Sequence, residues 1–200
     1  MDRRAFFDLV RKGLLGPTLD PDEVQGCEVI LDAMHGAPIS HAAYALATAY
    51  HETAHTMQPV TEYGGPRYLH RMYDINGARP AKARELGNIH PGDGRLFCGR
   101  GYIQLTGRSN YKKAGIKTGY PLEGNPDLAK RPDIAAIIMR KGMEEGWFTS
   151  RTFDHSLPPE GSATHKQFLA ARRIINGHDK AALIADYAIE FQDALRGASW

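Results

Sequence analysis

Two short segments carry the residue types that chemistry needs. The first is Ala49-Tyr50-His51-Glu52-Thr53, and the second runs from Gly99 to Tyr111 as GRGYIQLTGRSNY. Glu52 falls near the end of an expected helix whose preceding turns place Ala45, Thr48 and Ala49 beside it. Small neighbours leave a recess in which a carboxyl is poorly solvated, and poor solvation favours the neutral acid. A carboxylic acid that keeps its proton near neutral pH can protonate a glycosidic oxygen. The second segment spaces Gly99, Gly101 and Gly107 around Arg100, Gln104 and Thr106. Glycines let a backbone run close to a ligand. Gln104 offers both donor and acceptor to a sugar hydroxyl or N-acetyl group, and Thr106 can orient a water. Without a ligand, the same residues would make a tight turn and a short buried strand at Tyr102-Ile103-Gln104-Leu105.

Glu52 also belongs to a competing pattern. His51-Glu52-Thr53-Ala54-His55 is a literal H-E-x-x-H. On a continuous helix the two histidines would face one way and bind zinc, with Glu52 as the base of a metallopeptidase. A catalytic zinc needs a third protein ligand. His70, Glu85 and His90 are available, but none sits in a third-ligand motif. That alternative also leaves the Gly99–Tyr111 segment without a purpose. Two enzyme classes thus claim one glutamate, and HET by itself decides nothing between them; the sugar reading expects no metal and no other cofactor. A non-catalytic wall-binding module ranks third, because binding alone needs no paired acid and base.

The second segment resembles the signature of glycoside hydrolase family 19, which holds plant and bacterial chitinases and many phage endolysins. HET at 51–53 is similar to that family's helix-borne catalytic glutamate. NPDL at 125–128 and RRIINGHD at 172–179 resemble two further family segments, in the same order. The likeness covers roughly residues 40–195, and the first 35 residues carry no part of it. It implies a mainly α, lysozyme-like, two-lobed domain with a glycine-rich middle that holds a small β-hairpin. It also implies inversion at the anomeric carbon, with two carboxyl groups roughly 6.5–9.5 Å apart to admit a water. On this chain Glu52 takes the acid role and Thr106 helps to hold the water. Gln104, Tyr111 and Asn176 fall on positions that tend to meet substrate. The base is assigned to Glu62, with Asp74 and Glu85 as alternatives and a plain solvated loop charge as the competing explanation. Tyr63, Tyr68, Tyr73 and Tyr102 could stack on sugar faces. Tyr102 is the best placed of them, and Arg100 completes the substrate-binding set.

Elements must position these groups. Residues 2–15 space Phe6, Leu9, Val10 and Leu14 for one helical face. Asp20-Pro21 marks a cap and first turn for a second helix reaching about Met34. Ser40 is expected to cap a third helix, His41 to Thr56. Residues 57–100 are rich in glycine and proline, with short helical possibilities such as Pro80–Leu86. A stretch that long without clear elements is more often functional than idle. Helices are then predicted over Arg108–Ala114, Pro132–Trp147, Thr164–Ile175 and Asp179–Leu195, with a turn at Asn125-Pro126-Asp127.

The whole chain sets outer bounds. It has 200 residues, 42% apolar and 24% charged, which suits a single soluble catalytic domain over residues 1–200. A formal net charge of +2 does not suggest a dedicated nucleic-acid binder. Two distant cysteines, Cys27 and Cys98, read as buried small hydrophobes rather than a disulfide framework. Met139, Met143 and Trp147 lie at helical spacing and read as core. No apolar run approaches the roughly 20 residues that span a bilayer, and the charged start lacks the features of a signal peptide. The expected protein is a monomer made in the cytoplasm that acts on peptidoglycan or chitin. The bare single-domain layout leans toward a peptidoglycan-degrading endolysin that reaches the wall after release, for example through a membrane pore.

Overall fold

The computed structural model describes residues 1–200. Its helices in the first part of the chain are α1 (Arg3–Val10), α2 (Pro21–Ala33), α3 (Ile39–Glu52), α4 (Gly65–Tyr73), α5 (Pro80–Glu85) and α6 (Asp93–Leu96). Those that follow are α7 (Arg108–Thr118), α8 (Pro132–Glu145), α9 (His165–Ala171) and α10 (Ala181–Gly197). Two short strands, β1 (Val60–Thr61) and β2 (Arg100–Gly101), form the one sheet. The fold is therefore mainly α with a minimal antiparallel ribbon. No helix is long and apolar enough to cross a membrane. The chain divides into two compact units: residues 1–58 with 139–200, and residues 59–138.

The first unit is built around α3. Its alanine-rich sequence favours a helix, and every residue from Ser40 to Tyr50 is buried. A helix buried on all sides is a core element rather than a surface one. Helix α10 packs along it, with α1 and α9 against α10 and α2 against α3. Helix α2 is closed at its start by the expected Asp20 cap, with a capping box to Glu23 and Pro21 in the first turn. Gly26 on α2 lets the chain after Glu52 pass very close, since a Cβ there would meet the Met57 carbonyl. The first 35 residues thus pack into the same unit as the glutamate helix.

Some boundaries differ from expectation. Helix α3 begins at Ile39 behind an extended Pro38 and takes no side-chain cap. Ser40 is instead buried, and its hydroxyl donates to the Pro158 carbonyl at 3.0 Å. The helix ends at Glu52 rather than Thr56. Ala54, His55 and Met57 all adopt positive φ, of 51°, 74° and 54°, and each such non-glycine residue is strained. Thr53 makes the break possible: its hydroxyl donates to Ala49 O and accepts from Met57 N. Helix α1 stops at Val10, well short of residue 15, with Asp2 as its cap. Trp200 donates its indole N–H to the Ala37 carbonyl at 2.9 Å.

In the second unit, β1 and β2 pair with Val60 opposite Gly101 and Thr61 opposite Arg100. The ladder continues one step further, where Glu62 N donates to Gly99 O at 2.8 Å. The ribbon is the small antiparallel pair expected, and it joins the two ends of the glycine-rich stretch. Tyr102–Leu105 is no strand: it turns back on itself, closed by a bridge between Arg100 and Leu105. Asn88 is fully buried and staples the unit. Its amide donates to Tyr73 O and accepts from Arg108 N, tying the end of α4 to the start of α7. Arg108 then pairs with buried Asp93 and with Glu123, over the face of Phe97. Back in the first unit, Met139 and Met143 are buried as expected, whereas Trp147 is only half-buried.

Candidate active site

In the first unit, Glu52 is the last residue of α3 and a quarter exposed, with 23% of its side chain accessible. Tyr44, Thr48 and Glu52 recur every four residues and so share one helical face. The recess is not lined by alanine alone. Arg172, almost wholly buried, donates from Nη1 to Glu52 Oε1 at 2.8 Å. Its Nε donates to Asp179 O, so the guanidinium is fixed at both ends. Arg172 opens the short 3-10 turn Arg172–Ile174 that follows α9. Burial pushes the Tyr44 phenol up to about 12, while neighbouring Thr48 and Arg172 oppose that rise. Burial also lowers His51 below its ordinary 6.5, although the adjacent Glu52 pulls the other way. Asn176 is exposed just beyond, with its Oδ1 accepting from Gly177 N.

In the second unit, Glu62 leaves β1 directly and is held at both oxygens. Tyr73 donates its hydroxyl to Oε1 at 2.7 Å, and Gly99 N donates to Oε2 at 3.2 Å. Gln104 and Thr106 come to the same place. A Cβ at Gly99 would collide with Gln104 Oε1 and would lie 3.1 Å from both Glu62 Oε2 and Thr106 Oγ1. Three oxygens thus converge on the bare face of one glycine. Gln104 reaches it from a left-handed backbone, φ 57°. Its own carbonyl accepts from Thr106 Oγ1 at 2.9 Å, which locks the turn. Any two of the carboxylate, hydroxyl and amide oxygens arranged in this way can accept the two hydrogens of one water and orient it.

No family model matches the chain. Chitinase 8 from Oryza sativa subsp. japonica is 44% identical over 55 residues, which is 28% of this chain and 20% of that protein. The matched stretch therefore spans about a fifth of the rice protein. Chitinase C from Streptomyces griseus HUT6037 aligns in structure with a TM-score of 0.60 at 18% identity, covering 99% of this chain and 76% of that one. A bacterial family 19 chitinase aligns with a TM-score of 0.55 at 21% identity, covering 97% and 94%. The chain has the family 19 chitinase fold.

Within this family 19 fold, several residues singled out in the sequence stand behind the site rather than in it. Arg100 is buried and donates to Leu96 O, Cys98 O, Tyr111 Oη and Asp127. Tyr111 is fully buried, and its hydroxyl donates to Cys98 O at 2.8 Å. The pair grips the peptide before Gly99 from behind and ties it to the Asn125–Leu128 segment. Tyr102 is fully buried as well, so it offers no face to a sugar in this conformation. Tyr63 is the widely exposed aromatic, at 84%. Among the alternative bases, Asp74 is buried and clamps the backbone N–H groups of Asn76, Gly92 and Gly94. Glu85 lies on the surface, paired with Lys82. Neither resembles a poised catalytic group.

The zinc pattern loses its geometry in the family 19 fold. Helix α3 ends between its two histidines, and His55 turns back to stack on Tyr50 at 4.2 Å. No three His, Cys, Asp or Glu side chains are grouped to hold a metal ion. Cys27 and Cys98 are both buried thiols, and burial pushes both up. Two partners of the carboxylates were not assigned from sequence. Tyr73 stood only among the aromatics proposed to stack on sugar faces, and Arg172 only within the RRIINGHD segment. The helical return from Glu62 to Tyr73 across α4 was the available signal for the first. For the second, the signal was the RRIINGHD segment at 172–179, since nothing local links Glu52 to a residue 120 positions away.

Proposed function

We propose that this chain is a glycoside hydrolase that cleaves β-1,4 bonds in an N-acetylated aminosugar polymer with inversion. The observation that carries the reading is the convergence of Glu62, Thr106 and Gln104 on Gly99 in a chain with the family 19 fold. Glu52 is the general acid. Arg172 holds its Oε1, so Oε2 carries the proton to the leaving oxygen. Glu62 is the general base. It takes a proton from a water held with Thr106 and Gln104, the water oxygen bonds to the anomeric carbon, and the glycosidic bond breaks on the opposite face. The departing oxygen receives its proton from Glu52, so one proton enters and one leaves per turnover.

Peptidoglycan is the proposed polymer. A chain of formal net charge +2 suits an anionic wall. Chitin is the second reading, supported by the chitinases this chain is similar to. One experiment separates them: mass spectrometry of fragments released from purified peptidoglycan and from chitin oligomers, by wild type and by Glu52→Gln. The reducing-end sugar names the bond, and the cleaved polymer names the substrate. An active Glu52→Gln would refute the acid assignment.

A further inference from the structure

We propose that Tyr73 is a positioning residue for the base, fixing Glu62 Oε1 so that Oε2 alone is the proton-accepting oxygen. This rests on Glu62 acting as the base. The two carboxylate oxygens are not equivalent in the structure. Oε1 accepts the short bond from the Tyr73 hydroxyl, 2.7 Å. Oε2 accepts a longer one from Gly99 N, 3.2 Å, and lies on the side shared with Thr106 and Gln104. A carboxylate rotates about its last bond unless something holds one oxygen, and a short O–H···O⁻ bond is among the stronger restraints available.

Tyr73 is itself held. It closes α4, where its carbonyl accepts from buried Asn88. Its ring meets the Tyr68 ring edge-on at 6.4 Å. Tyr68 in turn sits against Gly64, where any Cβ would strike its ring. The segment from Glu62 to Tyr73 therefore folds back through one helix so that its last residue grips its first. The phenol serves as a donor only: burial and then the bond to Glu62 push it well above the usual tyrosine range. In the step itself, the water O–H bond breaks and its proton goes to Oε2, while Tyr73 keeps its own proton on Oη and continues to donate it to Oε1.

The test uses Tyr73→Phe and Glu62→Gln, assayed against the chitin hexamer or purified peptidoglycan, whichever the wild type cleaves. Tyr73→Phe is expected to lower kcat roughly 10–100-fold with little change in KM. A carboxylate that has lost a donor holds its proton more tightly, so the acidic limb of the kcat/KM profile moves up by about one unit. In the Glu62→Gln background, Tyr73→Phe should have no further effect. Replacing Tyr73 with a fluorotyrosine keeps the shape but donates more strongly, and should move the limb down. This variant keeps the test open should the phenylalanine variant fail to fold. An acidic limb unmoved by either replacement, with Glu62→Gln inactive, overturns the proposal while leaving Glu62 as base. A fully active Glu62→Gln overturns the base assignment itself, and the proposal with it.

Discussion

Glu52 and Arg172 form the tightest charged pair at the candidate site, and the arginine is the deeper partner. Removing the carboxylate would strand a buried guanidinium, which is costly because an unpaired buried charge forfeits its solvation. Glu52→Gln keeps an acceptor for Nη1 and should retain the fold while losing activity by a thousandfold or more on the order of general-acid losses. Glu52→Ala should lose activity equally and also lose stability, by about 2 kcal/mol. Paired activity assays and thermal melts check this. Equal melting temperatures for the two variants would show that Arg172 does not depend on the pair. Gly99 is the corresponding point in the second unit. Gly99→Ala places a methyl among Gln104, Glu62 and Thr106. Gln104 is a flexible end and can yield, so the expected result is a large fall in kcat with little change in the melting temperature.

At the scale of elements, the break after Glu52 is the feature that matters. The segment from Ala54 to Met57 is strained, and α2 presses on it through Gly26. Gly26→Ala should force that segment away, lowering both the melting temperature and activity, although Gly26 touches neither carboxylate. Wild-type activity in that variant would mean that the helix end is held from elsewhere. The break also shows what sequence reasoning can and cannot reach. Asp20-Pro21 and the start of α8 at Pro132 were legible because capping chemistry is local. Ser40 misled because its hydroxyl found a partner 118 residues away. The end of α3 was hidden because three non-glycine residues turn left-handed, and no local rule anticipates that. Likewise Gly99, Gln104 and Thr106 were picked out together, and the structure brings them to one place. That Arg100, Tyr102 and Tyr111 would be buried behind them depends on packing that spacing alone does not encode.

At the scale of the whole molecule, acid stability turns on Asp93. Burial alone would push its carboxyl up, but hydrogen bonds from Arg108 and from His90 N more than reverse this and hold it below its ordinary 3.8. The pairing therefore contributes fully above that value and is lost as the pH falls through the lower folded value. Wild type should lose urea resistance steeply below about pH 4. Asp93→Asn should be weaker at neutral pH and decline more gently on the acid side. Parallel slopes below that pH would assign acid sensitivity to other carboxylates.

The two units also differ in how they are threaded. The one bearing Glu62 is a single continuous run, residues 59–138, whereas the one bearing Glu52 is assembled from both ends of the chain. Helix α3 finds its main partner only in α10. During synthesis the Glu62 cluster can be complete while the ribosome is still at work, but the Glu52 helix must wait, half-clothed, for residues 181–197 to emerge. On the proposed roles the base would be folded before the acid is seated, and a truncation that removes α10 should yield a protein with its Gly99 cluster intact and no activity.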